Sequence, residues 1–178
     1  MPWGAEVELV RTHRLELAAL TGPFADALVA GDLGAAAAEL RASVGRWHAT
    51  DPSHLVQLRL AAEAAAAVGF DGFARVVVLA GPPRRAIGSI GFHGPPDDRG
   101  RLELGCRIHP AHRGRGYGVE AATALIDWAT ARFGITRFLL AVPSRRAAHG
   151  LVPIEIETDR GDRRGAGIHG LAAMVEWE

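Results

Sequence analysis

One short segment combines glycines and arginines in a pattern suited to holding a phosphate group. It directly precedes a predicted helix, and a helix N-terminus leaves backbone N–H groups unpaired and carries a partial positive charge. Glycines let that backbone approach an anion closely, and arginines add full charges with forked donors. The segment therefore predicts a pyrophosphate site. Its residues are Arg113, Gly114, Arg115, Gly116, Tyr117 and Gly118.

A structural role for the same segment stays open on the residues alone. Glycine-rich turns before helices are common, and arginines in loops are usually solvated. A Rossmann fingerprint is excluded because the glycine spacing differs and the preceding strands are predicted to be antiparallel. A Walker loop is excluded because the sequence contains no lysine.

The elements around this loop predict an α+β unit. Three strand-length apolar segments bounded by turn residues precede it, which favours an antiparallel meander. A helix with apolar residues on one face follows the loop and ends at Gly134, and the next strand then requires one parallel crossover. The predicted strands are Arg75–Ala80, Ala86–His93, Arg101–Ile108 and Ile135–Val142.

The flanking segments predict further helices and strands. Alternation within Leu9–Leu20 predicts a strand, and Asp51-Pro52 is a typical helix start. Ile154 and Ile156 predict a short strand in a segment without other clear periodicity. The remaining predictions are helices at Pro23–Ala30, at Gly34–Ser43 and from Asp51 to near Gly69, and a terminal strand at Ala172–Trp177.

Composition narrows the functional classes. A chain of 178 residues with 48% hydrophobic residues is typical of one globular domain. Twenty basic and twenty acidic residues balance, which argues against a general nucleic-acid binder. One cysteine excludes an internal disulfide, and the eight histidines lack paired ligand spacing, so we predict no metal site. Without a long apolar segment or a signal pattern, we expect a cytoplasmic protein that contacts no membrane.

The spacing Arg113-x-x-Gly116-x-Gly118 resembles the acyl-CoA pyrophosphate loop of the GNAT N-acyltransferase superfamily. The surrounding segments resemble, in the expected order, the branch related to ribosomal-protein N-acetyltransferases. The similarity covers roughly Leu9 to Val142. The matching segments are Thr12–Leu17, Ile87–Gly94, Leu102–Pro110, Val119–Ala122 and Leu125–Ala129.

This resemblance implies a GNAT-like α+β domain over residues 9–178, monomeric or homodimeric. It has a mixed, mostly antiparallel sheet flanked by helices, and acyl-CoA binds between splayed central strands. The implied reaction is direct transfer of an acetyl group from acetyl-CoA to a primary amine, either a protein N-terminus or a small molecule. Cofactor-binding residues are then the main chain at Cys106, Arg107 and Ile108, together with the loop Arg113–Gly118.

Glu103 matches a glutamate often found on this strand in the branch and is the implied general base, acting directly or through a water molecule. An ordinary carboxylate is a weak base toward an amine, so this role requires burial. The alternative is an exposed strand residue paired with Arg101 or Arg107. His93 could instead assist proton transfer. The remaining interpretations are a small buried side chain for Cys106 and a position near the acceptor for Trp47.

Residues 143–170 depart from the family pattern. Arg145 stands where relatives carry asparagine, and Ala148 where they carry serine. Pro153 interrupts the segment expected to form a helix. The alternative function is therefore a catalytically weakened acyl-CoA-binding or regulatory domain on the same fold. A third interpretation is a nucleotide-phosphate binder unrelated to CoA.

Overall fold

A computed structural model of the chain describes residues 7–143 and 151–158. Within these residues the strands form one sheet in sequential order, β1 to β7. The strands are β1 (Val10–Arg11), β2 (Leu15–Ala19), β3 (Ala74–Leu79), β4 (Arg85–Phe92), β5 (Arg101–Ile108), β6 (Arg137–Pro143) and β7 (Leu151–Glu157).

The sheet is mixed, and antiparallel pairs predominate. Among the seven strands that the structure describes, only β5 and β6 run parallel to each other, because α4 carries the chain back between them. The predicted α+β fold with one parallel crossover is confirmed. The helices are α1 (Gly22–Val29), α2 (Leu33–Leu40), α3 (Pro52–Ala67) and α4 (Tyr117–Phe133), with short 3-10 helices at Arg46–Ala49 and Pro110–His112.

Helices cover both faces of the sheet. Along β3, Val77 belongs to the core that α4 completes, whereas Val76 and Val78 belong to the core beneath α1, α2 and α3. This alternation follows from the two-residue period of a strand, which sends neighbouring side chains to opposite faces. The sheet therefore separates two apolar layers, and α4 forms most of the helical part of the layer on its side, to which α3 adds Ala65.

Capping residues define the starts of α1 and α2 and the end of α2. The Thr21 hydroxyl accepts a hydrogen bond from the Phe24 backbone at the start of α1, and the Asp32 carboxylate accepts one from Ala35 at the start of α2. The second helix was predicted to reach Ser43, but it ends at Leu40. Arg41 adopts a left-handed conformation with φ of 54° and closes the helix there.

The segment after β6 differs from the family expectation in secondary structure. The strand predicted from Ile154 and Ile156 is confirmed and extends over Leu151–Glu157. It pairs antiparallel with β6, with Pro143 opposite Leu151. A strand therefore occupies the segment where a helix is expected from the resemblance. The terminal strand predicted at Ala172–Trp177 lies outside the described residues.

Candidate active site

A gap opens between β5 and β6 halfway along their length. The two strands pair from Arg101 opposite Arg137 to Leu104 opposite Leu140, and in the described part of the chain their pairing ends there. Beyond that point β5 continues to pair only with β4, while β6 pairs with β7. The β5 main chain from Gly105 to Ile108 therefore presents one edge toward an open wedge, where an extended ligand could pair with it.

The predicted phosphate loop lies at the end of β5 and leads into α4. Gly114 and Gly116 have φ of 68° and 77°, a left-handed conformation that side chains disfavour. Gly116 is the N-cap of α4, and no side chain makes a capping hydrogen bond there. The N–H groups of the first turn are thus left for a ligand, and successive amides beside left-handed glycines form an anion-binding concavity.

The Arg113 side chain connects this loop to the end of β5 that borders the wedge. Its Nε atom donates a hydrogen bond of 2.8 Å to the carbonyl oxygen of Ile108, the last residue of β5. Arg113 and Arg115 are both exposed. The structure therefore brings the two predicted parts of the cofactor site together, the β5 edge and the glycine-rich loop, as one continuous surface.

A third arginine, Arg14, reaches the loop from the turn immediately before β2, and sequence reasoning assigned it no role in the site. The Arg14 guanidinium lies 4.5 Å from the centre of the Tyr117 ring and donates a hydrogen bond of 3.0 Å to the Arg115 carbonyl oxygen. A Cβ atom added to Gly116 would lie 3.5 Å from Arg14 Nη2. Its position beside the loop follows from contacts between distant segments, which no local sequence pattern indicates.

Cys106 lies at the wedge, but its side chain packs against the core on the α4 side. Desolvation raises the pKa of its thiol to about 12. A thiol of this kind stays protonated at neutral pH and is a poor nucleophile. The structure agrees with the interpretation of Cys106 as a small packed side chain, and its main chain remains available at the β5 edge.

Glu103 lies on the opposite face of β5 from Cys106 and is exposed. Its Oε1 atom is 3.2 Å from Nδ1 of His93, the residue that follows β4, and the Glu103 and His93 side chains are 55% and 45% exposed. Burial was required for a direct role as base, and the structure does not provide it. The alternative pairings with Arg101 or Arg107 are also absent, since those arginines pair with Asp97 and Asp51.

The same face of β5 carries a second polar group nearer the cofactor loop. Arg107 Nη1 donates a hydrogen bond of 2.7 Å to the carboxylate of Asp51, immediately before α3. The Arg107 guanidinium lies 5.7 Å from the Trp47 ring, and that ring contacts His109 edge-on at 5.1 Å. Trp47 therefore lies beside the Glu103 face of β5, and its position near an acceptor stays a prediction. Asp51 was predicted only as a helix start, so its contact with β5 was missed.

Glu103 and His93 thus lie on one side of Gly105, and Arg107, Asp51 and Trp47 lie on the other. Strand residues rise about 3.3 Å each, so Glu103 and Arg107 are roughly 13 Å apart along β5. Gly105 has no side chain, and the His93 ring occupies the space above it, since a Cβ atom added to Gly105 would lie 2.4 Å from His93 Nε2.

Residues 7–143 and 151–158 contain neither a metal-binding cluster nor a helix that could span a membrane. No group of three or more histidine, cysteine, aspartate or glutamate side chains is arranged to hold a metal ion there. None of the helices in these ranges is both long and apolar enough to cross a membrane.

Comparisons with known proteins agree with this geometry. A family model described as acetyltransferase (GNAT) domain matches residues 25–149. A Bacillus subtilis protein named uncharacterized N-acetyltransferase YjdG is 30% identical over 131 residues, which cover 72% of this chain and 76% of that protein.

Solved structures have a similar fold. An acetyltransferase from Agrobacterium tumefaciens has a TM-score of 0.51 at 26% identity, covering 78% of this chain and 76% of its own. An acetyltransferase from Salmonella typhimurium, which modifies the N-terminal serine of a 50S ribosomal subunit protein, has a TM-score of 0.50 at 15% identity, covering 79% and 78%. At that identity the likeness concerns the fold alone.

Proposed function

Since the chain belongs to the acetyltransferase (GNAT) family, we propose that it transfers an acetyl group from acetyl-CoA to a primary amine by direct attack. The observation that carries this proposal is the parting of β5 and β6 after Leu104, beside the uncapped N-terminus of α4. An extended thioester ligand that ends in phosphates matches a site with an open strand edge at one end and a glycine-rich anion site at the other.

Acetyl-CoA is bound in two parts in this proposal. The main chain at Cys106, Arg107 and Ile108 pairs with the amide groups of pantetheine, much as a neighbouring strand would. The loop from Arg113 to Gly118 holds the pyrophosphate through backbone N–H groups and arginine charges. Arg14 adds positive charge at the same loop, although Glu120 neutralises part of it.

The reaction is an acyl transfer without a covalent enzyme intermediate. The amine nitrogen forms a bond to the thioester carbonyl carbon, and the carbon–sulfur bond then breaks. An attacking ammonium must lose two protons: one goes to a base and onward to solvent, and the other balances the thiolate of CoA. A backbone N–H on the open β5 edge stabilises the negative oxygen of the intermediate.

The acceptor approaches the start of the wedge from the face of β5 that carries Glu103 and that Asp51 contacts through Arg107. The two carboxylates favour a cationic amine, and the Trp47 ring offers a flat apolar surface beside them. This arrangement suits both a protein N-terminus and a small-molecule amine.

The first experiment measures acetyl-CoA binding by calorimetry and thiol release with a panel of amines. The panel contains peptides with different N-terminal residues and small polyamine, aminosugar and amino-acid acceptors. We expect saturable binding of acetyl-CoA in preference to ATP and NAD, and turnover with at least one acceptor class. Binding without turnover against the whole panel would favour the acyl-CoA-binding alternative. Equal binding of ATP would favour a general nucleotide-phosphate site.

A further inference from the structure

We propose that His93 is the catalytic residue that takes a proton from the acceptor amine, and that Glu103 is a positioning residue that holds the His93 ring. This inference rests on the proposed acetyl transfer and assigns the base within it. It differs from the expectation from sequence, in which Glu103 itself is the base.

The two residues are paired through both main chain and side chain. The His93 backbone N–H donates a hydrogen bond of 2.9 Å to the Glu103 carbonyl oxygen, and the His93 Nδ1 atom lies 3.2 Å from Glu103 Oε1. A carboxylate can only accept from Nδ1, so the pair selects the imidazole form that carries its proton on Nδ1. The other ring nitrogen, Nε2, is then a proton acceptor.

The Nε2 atom of His93 lies against Gly105 of β5. A Cβ atom added to Gly105 would lie 2.4 Å from His93 Nε2 and 3.0 Å from Cε1. The imidazole therefore lies over the one position on this face of β5 that lacks a side chain. Gly105 is also the first β5 residue beyond the pairing with β6. The Nε2 atom thus lies beside the start of the wedge, where the thioester and the amine must meet.

Chemical type favours the imidazole over the carboxylate as the proton acceptor. A histidine side chain gains and loses a proton near neutral pH, whereas an exposed carboxylate is a much weaker base. Glu103 is 55% exposed, so the desolvation that would strengthen a carboxylate as a base is missing. Its charge instead stabilises the imidazolium that forms when His93 takes the proton.

The other charged groups around this pair have partners of their own. Arg101, two residues before Glu103, is held by Asp97 and Glu155. Arg107, two residues after Gly105, is held by Asp51. Among the described residues, Glu103 is therefore the charged group in contact with His93. In the proposed step one ammonium proton passes to Nε2 and then to solvent, the nitrogen lone pair attacks the carbonyl carbon, and CoA leaves as described above.

The test compares His93→Gln with Glu103→Gln, with the exposed His13 changed to glutamine as a matched control. We expect His93→Gln to lower kcat by about 10²–10⁴-fold, the range of a general base, without changing acetyl-CoA affinity. We expect added imidazole to restore part of the activity of His93→Ala. His13→Gln retains the parent rate, and all variants must keep a cooperative thermal transition.

The split between kcat and KM and a conservative variant separate the roles of the two residues. Glu103→Gln is expected to cost only about tenfold in kcat, because the His93 ring remains but loses the carboxylate that orients it. The KM values for acetyl-CoA and for the amine should keep their parent values. Glu103→Asp, which keeps a carboxylate, restores most of the kcat. A purely structural role for Glu103 would instead lower Tm and change kcat and KM together.

Two results would overturn the inference. One is a Glu103→Gln variant that loses at least as much activity as His93→Gln, with no response of His93→Ala to imidazole. The other is a His93→Gln variant that keeps the parent rate. Failure of the proposed function looks different, because the parent protein itself would then bind no acetyl-CoA or acetylate no amine.

Discussion

The side chains of Arg14 and Glu120 form an ion pair that joins the start of β2 to the first turn of α4. Arg14 Nε lies 2.6 Å from Glu120 Oε2, and the Arg14 backbone N–H donates to Oε1 at 2.9 Å. Thr12 also donates its hydroxyl to this carboxylate. Helix α4 follows β5 through the glycine-rich loop. Its first turn is thus anchored to the start of β2, a strand three positions from β5 in the sheet.

Removing this anchor is expected to lower stability and loosen the loop. Burial by itself would raise the pKa of Glu120, but hydrogen bonds from Thr12 and Arg14 outweigh it and lower the pKa overall. Glu120→Ala leaves its partly buried partners without an acceptor, which costs about 2 kcal/mol and lowers Tm by roughly 4–8 °C. The control is Glu63→Ala on the more exposed pair with Arg59, where about 0.5 kcal/mol is expected. Equal losses in the two variants would show that the anchor has no special role.

Gly116→Asp is expected to abolish high-affinity acetyl-CoA binding. Its φ of 77° strains any side chain, and the new carboxylate would face the phosphates at the helix N-terminus. Gly31→Asp is the matched control, because Gly31 has a φ of 74° and lies between α1 and α2. Calorimetry should show at least a tenfold weaker Kd for Gly116→Asp, whereas Gly31→Asp keeps the parent Kd despite a similar loss of stability. Parallel losses of affinity would argue against the loop as the pyrophosphate site.

Asp51→Asn and Trp47→Ala are expected to affect the amine and spare the cofactor. Asp51 holds Arg107 at 2.7 Å, and Trp47 lies beside that guanidinium on the acceptor face. Each variant should raise the KM for the amine about tenfold, equivalent to 1.4 kcal/mol, with little change in acetyl-CoA Kd. Asp98→Asn, at an exposed position in the β4–β5 turn, is the control. A change confined to acetyl-CoA affinity would place these residues on the cofactor side.

Stability is expected to fall as the solution becomes acidic, in part through His48. Burial lowers its pKa, while a hydrogen bond at 3.1 Å to the Ala86 carbonyl oxygen opposes that effect. The unfolded chain therefore binds a proton at a higher pH than the folded chain does. The contribution of neutral His48 to the free energy of unfolding is complete above the pKa of histidine in the unfolded chain, about 6.5. This contribution decreases as the pH falls below that value, by at most about 1.4 kcal/mol per pH unit.

His48→Gln should flatten this dependence in urea denaturation between pH 7 and pH 5. Part of the slope remains, because desolvation also lowers the pKa of His112. His13→Gln leaves the slope unchanged, since His13 is exposed. An unaltered slope in His48→Gln would contradict the assignment.

Cys106→Ala is expected to keep turnover within a few-fold of the parent protein. Its thiol has a pKa of about 12 and packs against the core, so the thiolate fraction at pH 8 is negligible. Iodoacetamide should therefore modify the folded protein slowly and the urea-unfolded protein quickly, as followed by mass spectrometry. Loss of turnover by several orders of magnitude in a folded Cys106→Ala variant would point to covalent catalysis.

Much of the architecture was predictable from local patterns. Strand β5 has the predicted bounds, Arg101–Ile108, and the helix expected after the glycine-rich loop runs from Tyr117 to Phe133 and ends at Gly134. Apolar periodicity and the turn positions of glycines depend on only a few neighbouring residues, so the sequence alone predicts them. The resemblance in Arg113-x-x-Gly116-x-Gly118 also led to the family that the comparisons support.

The contacts of the site were less predictable. Alternation along β5 places Glu103, Gly105 and Arg107 on one face, but it does not say which elements arrive on that face. Glu103 was expected to be either a buried base or an exposed residue paired with Arg101 or Arg107; it is exposed, but its partner is His93. The Arg107 side chain meets Asp51, which lies 56 positions earlier in the chain.

The sequence by itself determined the order of strands and helices, the glycine-rich loop before α4 and the family. These depend on hydrophobic period, turn residues and glycine conformations, all of which are local. Only the tertiary structure decided that β5 and β6 part after Leu104, that Arg14 reaches the loop and that the His93 ring lies over Gly105. Each of these depends on the register between strands and on segments far apart in the chain, whose approach is set by packing of the whole core.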